Sequence, residues 1–282
     1  MKGFTGYLAG RYIAGTERGD AIEVCRELNE HGLAATIDIL GEGVTEEKHA
    51  EAAVTEYHSL LDEIQSTGIE SSISLKLTHL GLDISRELTE KNLRKILRKA
   101  RDLCIFVRLD MERSKYTEET MSIFLKLHED FPDTGIAIQS ALVRSPQDIK
   151  TLISARAKVR LVKGAYMEPP GIGFQEKKLV DINYTTLMKR LLLSGAGTAI
   201  ATHDEAIINE ARDFTLKNKI SKEDFEFQML LGIKRTLQKK LAEEGYKVRV
   251  YVPYGKDWMA YVLRRLKERK ENIYFVVRNL LD

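Results

Sequence analysis

The chain has 282 residues, 43% hydrophobic and 30% charged, with a formal net charge of +2. That supplies one large core, and the near-neutral balance gives no reason to expect a nucleic-acid partner. No apolar run approaches the roughly 18 residues that a membrane-spanning helix needs, and the opening MKGFTGYLAGRYIAG is too polar for a secretory leader.

In chain order, residues 1–33 read as an extra helical segment. Eight short apolar runs follow, each carrying an out-of-place polar or charged residue: ATIDIL (35–40), SISLKLT (72–78), IFVRLDM (105–111), GIAIQSAL (135–142), KVRLVKGA (158–165), TAIATHD (198–204), FEFQMLL (225–231) and KVRVYVPY (247–254). The stretches between them predict helices. Thr45 is expected to cap one that ends near Gly68, Thr89 opens EKNLRKILRKARDL, Thr117 opens a helix stopped by Pro132, and Pro146 starts a short one. Others are expected over about 180–194, 205–218, 232–244 and 257–270. The longest loop, EPPGIGFQEKK (168–178), follows strand five, where long loops in barrels clamp ligands or act as lids.

Strands alternating with helices imply βαβ units and a parallel sheet. Eight repeats in this length predict an α/β fold of the (β/α)₈, TIM-barrel type: one domain, with residues 1–33 as a helical extension and 34–282 as the barrel. Catalysis on that fold sits at the carboxyl ends of the strands.

Successive strand residues face opposite sides. Turning Ile73, Leu75 and Leu77 outward puts Ser74, Lys76 and Thr78 inside, and the same rule puts Asp38, Arg108, Asp110, Gln139, Arg160, Glu226, Gln228, Leu230, Arg249 and Tyr251 inside. Buried charge costs free energy unless it is paired or used. An ion-pair network that stiffens the barrel is one reading. Lys76, Asp110, Arg160 and Tyr251, nearest the strands' carboxyl ends, favour a functional one. In DWMAYVLRRLKER, residues Tyr261, Arg264, Arg265 and Glu268 share one helix face. Paired arginines suit a small carboxylate or phosphate; a solvated basic face is the alternative.

Taken in order, ISLKLT, VRLDME, RLVKGAY, ATHD, FEFQML and YVPYGKDWMAYVLRR resemble the motifs of monofunctional bacterial proline dehydrogenases over about residues 35–280. The resemblance implies a distorted barrel that binds FAD and oxidises L-proline to Δ1-pyrroline-5-carboxylate by hydride transfer, with electrons leaving to a quinone. It implies that Arg264, Arg265 and Lys76 hold the proline carboxylate, and that Tyr251, Tyr261 and Leu230 wall the ring. Asp110 would orient the basic groups, Glu42 would be a gating carboxylate paired with the first arginine, and Glu268 would brace the arginine face. For FAD it implies Arg160 near the isoalloxazine, with Gln139, Lys163, Gly164, Ala165, Tyr166, Thr202 and His203 as further contacts, and Lys178 added from the divergent loop. No GxGxxG follows a strand, so a Rossmann site is not expected. Competing readings are a Schiff-base aldolase using Lys76 or Lys163, and a flavin-binding barrel without turnover.

Cys25 and Cys104 lack a pairing pattern and read as reduced. His31, His49, His58, His79 and His128 lack metal-ligand spacing; solvent-facing or helical roles are expected of them, and no metal. A cytoplasmic protein is expected, with a peripheral contact at the inner face of the cell membrane left open.

Overall fold

The computed structural model describes residues 12–259 and residue 261. After helix α1 (Arg18–Glu30), strands β1 (Ala34–Ile39), β2 (Ser71–Leu75), β3 (Val107–Leu109), β4 (Thr134–Gln139), β5 (Lys158–Val162), β6 (Thr198–Ala201), β7 (Phe225–Leu230) and β8 (Lys247–Tyr254) alternate with helices. These helices are α2 (Glu47–Thr67), α3 (Arg86–Asp102), α4 (Ser114–His128), α5 (Ser145–Ser154), α6 (Lys177–Ser194), α7 (Glu205–Lys217) and α8 (Arg235–Glu243). The strands close in sequence order into a barrel, and the parallel β1–β8 pairing, with Thr36 opposite Tyr251, completes the ring.

The core lies between the outer face of the barrel and the helices. Ile37, Ile73, Leu75, Val107, Leu109, Ile136, Val159, Leu161, Phe227 and Val250 are all buried there. Their partners on the other face of each strand are Asp38, Ser74, Arg108, Arg160, Gln228 and Arg249, so the alternation read from sequence is the alternation of the barrel wall.

Several expected boundaries are corrected. Seven of the eight runs outlast their strands: Lys76, Asp110, Lys163, Gly164, Thr202 and His203, for example, lie just beyond β2, β3, β5 and β6, on the loops at the barrel mouth. A run of apolar residues continues wherever the chain is still buried, whether or not it remains paired. Thr45 caps nothing: α2 begins after Glu46, which makes no side-chain cap. Thr89 and Thr117 are buried inside α3 and α4, and α4 ends at His128, before Pro132. The cap of α3 is Ser85, whose hydroxyl accepts from the Leu88 N–H at 3.1 Å. The helix expected over 257–270 lies almost wholly outside the described residues.

Replacing an N-cap serine by alanine costs about 1 kcal/mol. Ser85→Ala is therefore expected to lower the unfolding free energy by that amount, seen as a lower urea midpoint at unchanged m-value, and Thr45→Ala to leave the midpoint in place; paired urea melts of the two variants check this.

Candidate active site

The upper interior of the barrel is built around the Asp110 carboxylate, just past β3. Arg160 on β5 donates to its Oδ1 at 2.7 Å, and the Tyr251 hydroxyl on β8 donates to Oδ2 at 2.7 Å. The Lys76 ammonium lies 3.5 Å from the same Oδ2 and donates to both oxygens of Asp38 on β1 at 2.8 Å. Arg160 has further partners: Nε donates to Gln228 at 2.5 Å and Nη2 to the Ser74 hydroxyl at 3.0 Å, while its guanidinium lies 5.3 Å from the centre of the Tyr251 ring. Six strands thus converge on four charges. Asp38 and Asp110 balance Lys76 and Arg160, which is how so much charge is tolerated in a buried place.

Burial acts against Asp110, yet the Lys76 and Arg160 charges and the Tyr251 hydroxyl hold its carboxyl below the ordinary range. Burial likewise opposes the charge on Lys76, but Asp38 and Asp110 raise it above the usual lysine value. That ammonium is a cation for binding. A Schiff-base nucleophile needs a lowered pKa, so the geometry works against the aldolase reading for Lys76. Burial first, and the Asp110 charge second, push the half-buried Tyr251 phenol well above its ordinary range, so it keeps its proton.

Below this layer a second group fills the interior. Arg249 pairs with Glu226 at 3.0 Å, and Arg108 donates to the Lys158 carbonyl at 3.2 Å. Burial, then the neighbouring Arg160 charge, lowers Arg108 to about 9. This lower set fits the ion-pair reading; the upper set faces the mouth.

Around the rim, Gln139 donates through Nε2 to the Glu112 carbonyl at 2.7 Å. Gly164 has φ +118°, and a Cβ there would approach Gln139 Oε1 and the Ala141 Cβ to 3.0 Å, so the backbone passes close over Gln139. The Lys163 ammonium sits between Asp204 and Asp181, 2.7 Å from each. His203 Nε2 accepts from the Leu230 N–H at 2.9 Å, which assigns its proton to Nδ1. Thr202, buried, accepts from the Asp204 N–H at 3.1 Å, and Tyr166 lies under the Arg113 guanidinium at 5.6 Å. Ala165 joins Gly164 to Tyr166 on the same loop.

The structure therefore brings together at one end of the barrel Lys76, Asp110, Arg160, Tyr251 and Leu230, with Gln139, Lys163, Gly164, Tyr166, Thr202 and His203 around them. Tyr261 is buried with Ile13 and Leu40 beside the end of β1, near enough to Tyr251 to act on its ionisation. Glu42 lies on the β1–α2 loop, near enough that its charge helps to raise the Glu112 carboxyl, after the larger effect of burial. Lys178 is corrected: it is an exposed residue in the first turn of α6, not a loop residue. Arg264, Arg265 and Glu268 lie outside the described residues.

Sequence reasoning gave no role to Asp38, Gln228, Glu112, Asp204 or Asp181. Strand parity had already turned Asp38 and Gln228 inward, and Glu112 and Asp204 stand beside residues that were selected; Asp181 is one polar residue on a helix and carries no signal of its own. His79 is neither solvent-facing nor helical: it sits in the turn after β2 with Nδ1 buried and without a hydrogen bond. Among the described residues no group of three or more His, Cys, Asp or Glu side chains could hold a metal ion, and no helix is long and apolar enough to cross a membrane.

A family model described as proline dehydrogenase matches residues 21–278. Proline dehydrogenase 1 of Bacillus subtilis strain 168 is 41% identical over 273 residues, which is 97% of this chain and 90% of that protein. The proline dehydrogenase of Deinococcus radiodurans is 39% identical over 279 residues, again 97% of this chain and 90% of that protein. Among solved structures, proline utilization A from Bdellovibrio bacteriovorus, inactivated by N-propargylglycine, superposes with a TM-score of 0.89 at 27% identity. That match covers 95% of this chain, which spans 33% of that longer protein.

One buried group sets an acid limit. Burial first, and the Lys76 charge second, lower His79 from its ordinary 6.5 to about 4. Between those values the unfolded chain binds a proton that the folded one does not, so stability is complete above 6.5 and falls as pH drops towards 4. His79→Phe is expected to lose about 2 kcal/mol less than wild type between pH 7 and pH 4.5. Urea melts at both pH values check it; equal losses would mean that His79 ionises in the folded protein.

Proposed function

The chain belongs to the proline dehydrogenase family, and from that premise we infer that it oxidises proline in the first step of proline breakdown. The residues at the barrel mouth are proposed as the site of that reaction, and the observation that supports them most is the Asp110-centred set of Lys76, Arg160 and Tyr251.

The family implies a flavin, here proposed to be FAD. The donor set suits it: the Gln139 amide, the Arg160 guanidinium, the Lys163 ammonium and the close backbone at Gly164 lie along neighbouring strand ends β4 and β5, with Thr202 and His203 beyond β6. Arg160 is proposed to lie against the isoalloxazine, and Lys163, Thr202 and His203 toward the phosphate and adenine end, with Ala165 and Tyr166 as further contacts and Lys178 as an outlying one. A bound flavin supplies the two-electron acceptor that side chains do not provide.

The chain's own residues bind and orient. Arg264 and Arg265 are proposed to clamp the proline carboxylate, with Lys76 as a third cation fixed by Asp38. Fixing the far end of a small substrate converts binding free energy into orientation at the reacting carbon. Tyr251, its hydroxyl committed to Asp110, and Tyr261 and Leu230 are proposed to wall the ring and exclude water. Glu42 is proposed to close over the mouth by pairing with Arg264, and Glu268 to brace the arginine face. Electrons are proposed to leave to a quinone, in a cytoplasmic protein that meets the membrane at its periphery.

Two measurements test this reading. The purified protein is expected to be yellow, and its visible absorbance to bleach on anaerobic addition of L-proline; a colourless protein that takes up no added FAD would overturn the cofactor. Arg265→Met is expected to raise the proline KM by a factor corresponding to roughly 2–5 kcal/mol, the usual effect of breaking a desolvated charge pair, at unchanged flavin content. Steady-state kinetics with a dye acceptor check this, and wild-type kinetics would return that helix face to solvent.

A further inference from the structure

The loop that carries Glu42 is anchored at two points and has little between them. The Leu40 N–H donates to the Tyr254 carbonyl at 2.8 Å, and the Val44 N–H donates to the Thr78 carbonyl at 3.0 Å. The three residues between are Gly41, Glu42 and Gly43, the last with φ +63°. Two glycines around one carboxylate leave the backbone itself with few steric limits. What limits it is the residue underneath.

That residue is His79. A Cβ on Gly41 would come within 2.4 Å of His79 Nε2, 2.6 Å of Cε1 and 2.7 Å of Cδ2, so the imidazole lies directly against the Gly41 backbone. On its other side the ring is edge-on to Tyr57, with centroids 6.0 Å apart. Tyr57 is fully buried, and its hydroxyl donates to the Ser74 carbonyl of β2 at 3.4 Å. The His79 N–H donates to the Lys76 carbonyl at 3.2 Å, so the imidazole stands on the turn that also sets Lys76. Its Nδ1 is buried without a hydrogen bond, and an unsatisfied buried nitrogen costs stability. The ring is thus held by shape: braced behind by Tyr57, footed on the Lys76 turn, and pressed against the loop.

We propose that His79 is a positioning residue for the β1–α2 loop, the stop on which Gly41 rests, and that it sets how far the Glu42 carboxylate reaches over the barrel mouth. The inference rests on the reading of Glu42 as the closing carboxylate. Without the ring the loop settles into the vacated space, Glu42 withdraws from the mouth, and bound proline escapes more readily. A flat ring of similar size without titrating nitrogens does the same work.

The test is a double-mutant cycle in the flavin-loaded enzyme, read as the proline KM, kcat and flavin content of His79→Ala, His79→Phe, Glu42→Gln and the His79→Ala/Glu42→Gln pair. His79→Ala is expected to raise KM roughly 3- to 30-fold, within the range of coupling between contacting residues. kcat and flavin content should stay near wild type, and His79→Phe should restore the wild-type KM. In the Glu42→Gln background His79→Ala should add nothing, because the group it positions is already gone. An equal cost in both backgrounds would overturn the inference, since His79 would then act by another route. A silent His79→Ala beside a costly Glu42→Gln overturns the inference and leaves the gate standing; a silent Glu42→Gln overturns the gate, and the inference with it. Should His79→Ala fail to fold, Gly41→Ala replaces it: its Cβ collides with the ring and should raise KM in the wild-type background only.

Discussion

The barrel mouth depends on one carboxylate shared three ways. Asp110 takes the Arg160 guanidinium on one oxygen and the Tyr251 hydroxyl on the other, with the Lys76 ammonium 3.5 Å from the second. Each of those partners comes from a different strand, so the bonds fix β2, β5 and β8 against the end of β3. A buried carboxylate with fewer partners would take up a proton; here the surrounding cations keep it below the ordinary range. The same contacts keep Lys76 charged and the Tyr251 phenol protonated, so each group enters the site in a defined state before any ligand arrives.

That arrangement explains the division of the interior. The lower set, Arg249 with Glu226 and Arg108 on the Lys158 carbonyl, is tied to the upper one through Gln228, which donates to Glu226 and accepts from Arg160. In the upper set two carboxylates balance two cations, so no net positive charge is left for a further anion. A small amino acid that brings its own carboxylate therefore needs additional positive charge, which is the part proposed for Arg264 and Arg265 from the segment that follows β8 in the sequence. Charge balance inside the barrel and the demand for a clamp from outside it are two sides of one constraint.

The fold was legible because the outward faces of eight parallel strands must all be apolar, and period-two alternation then names the inward residues. Asp38, Ser74, Lys76, Arg160, Gln228 and Tyr251 were all placed on the correct side by that rule. Strand ends were less legible: IFVRLDM reads as one run, yet Asp110 and Met111 lie beyond the last paired residue of β3, because burial continues into the loop. Thr89 and Thr117 misled as caps, since a threonine buried in the first turns of a helix is not distinguished by sequence from one that starts it, and Ser85 was the residue whose hydroxyl accepts from the Leu88 N–H. The contacts that no pattern carries are those between distant segments: Lys163 held by Asp181 and Asp204, and His79 pressed on Gly41.

The central claim is that Asp110 organises the mouth through its charge. Asp110→Asn keeps the shape and removes the charge, leaving Lys76 and Arg160 with Asp38 alone as counter-ion. Rapid mixing of the oxidised enzyme with L-proline under anaerobic conditions measures the bleaching rate of the flavin directly. A fall of at least about 100-fold in that rate at saturating proline is predicted, the size expected when a buried hydrogen-bonded charge loses its partner, with the protein still folded and yellow. A wild-type bleaching rate in Asp110→Asn would contradict the account.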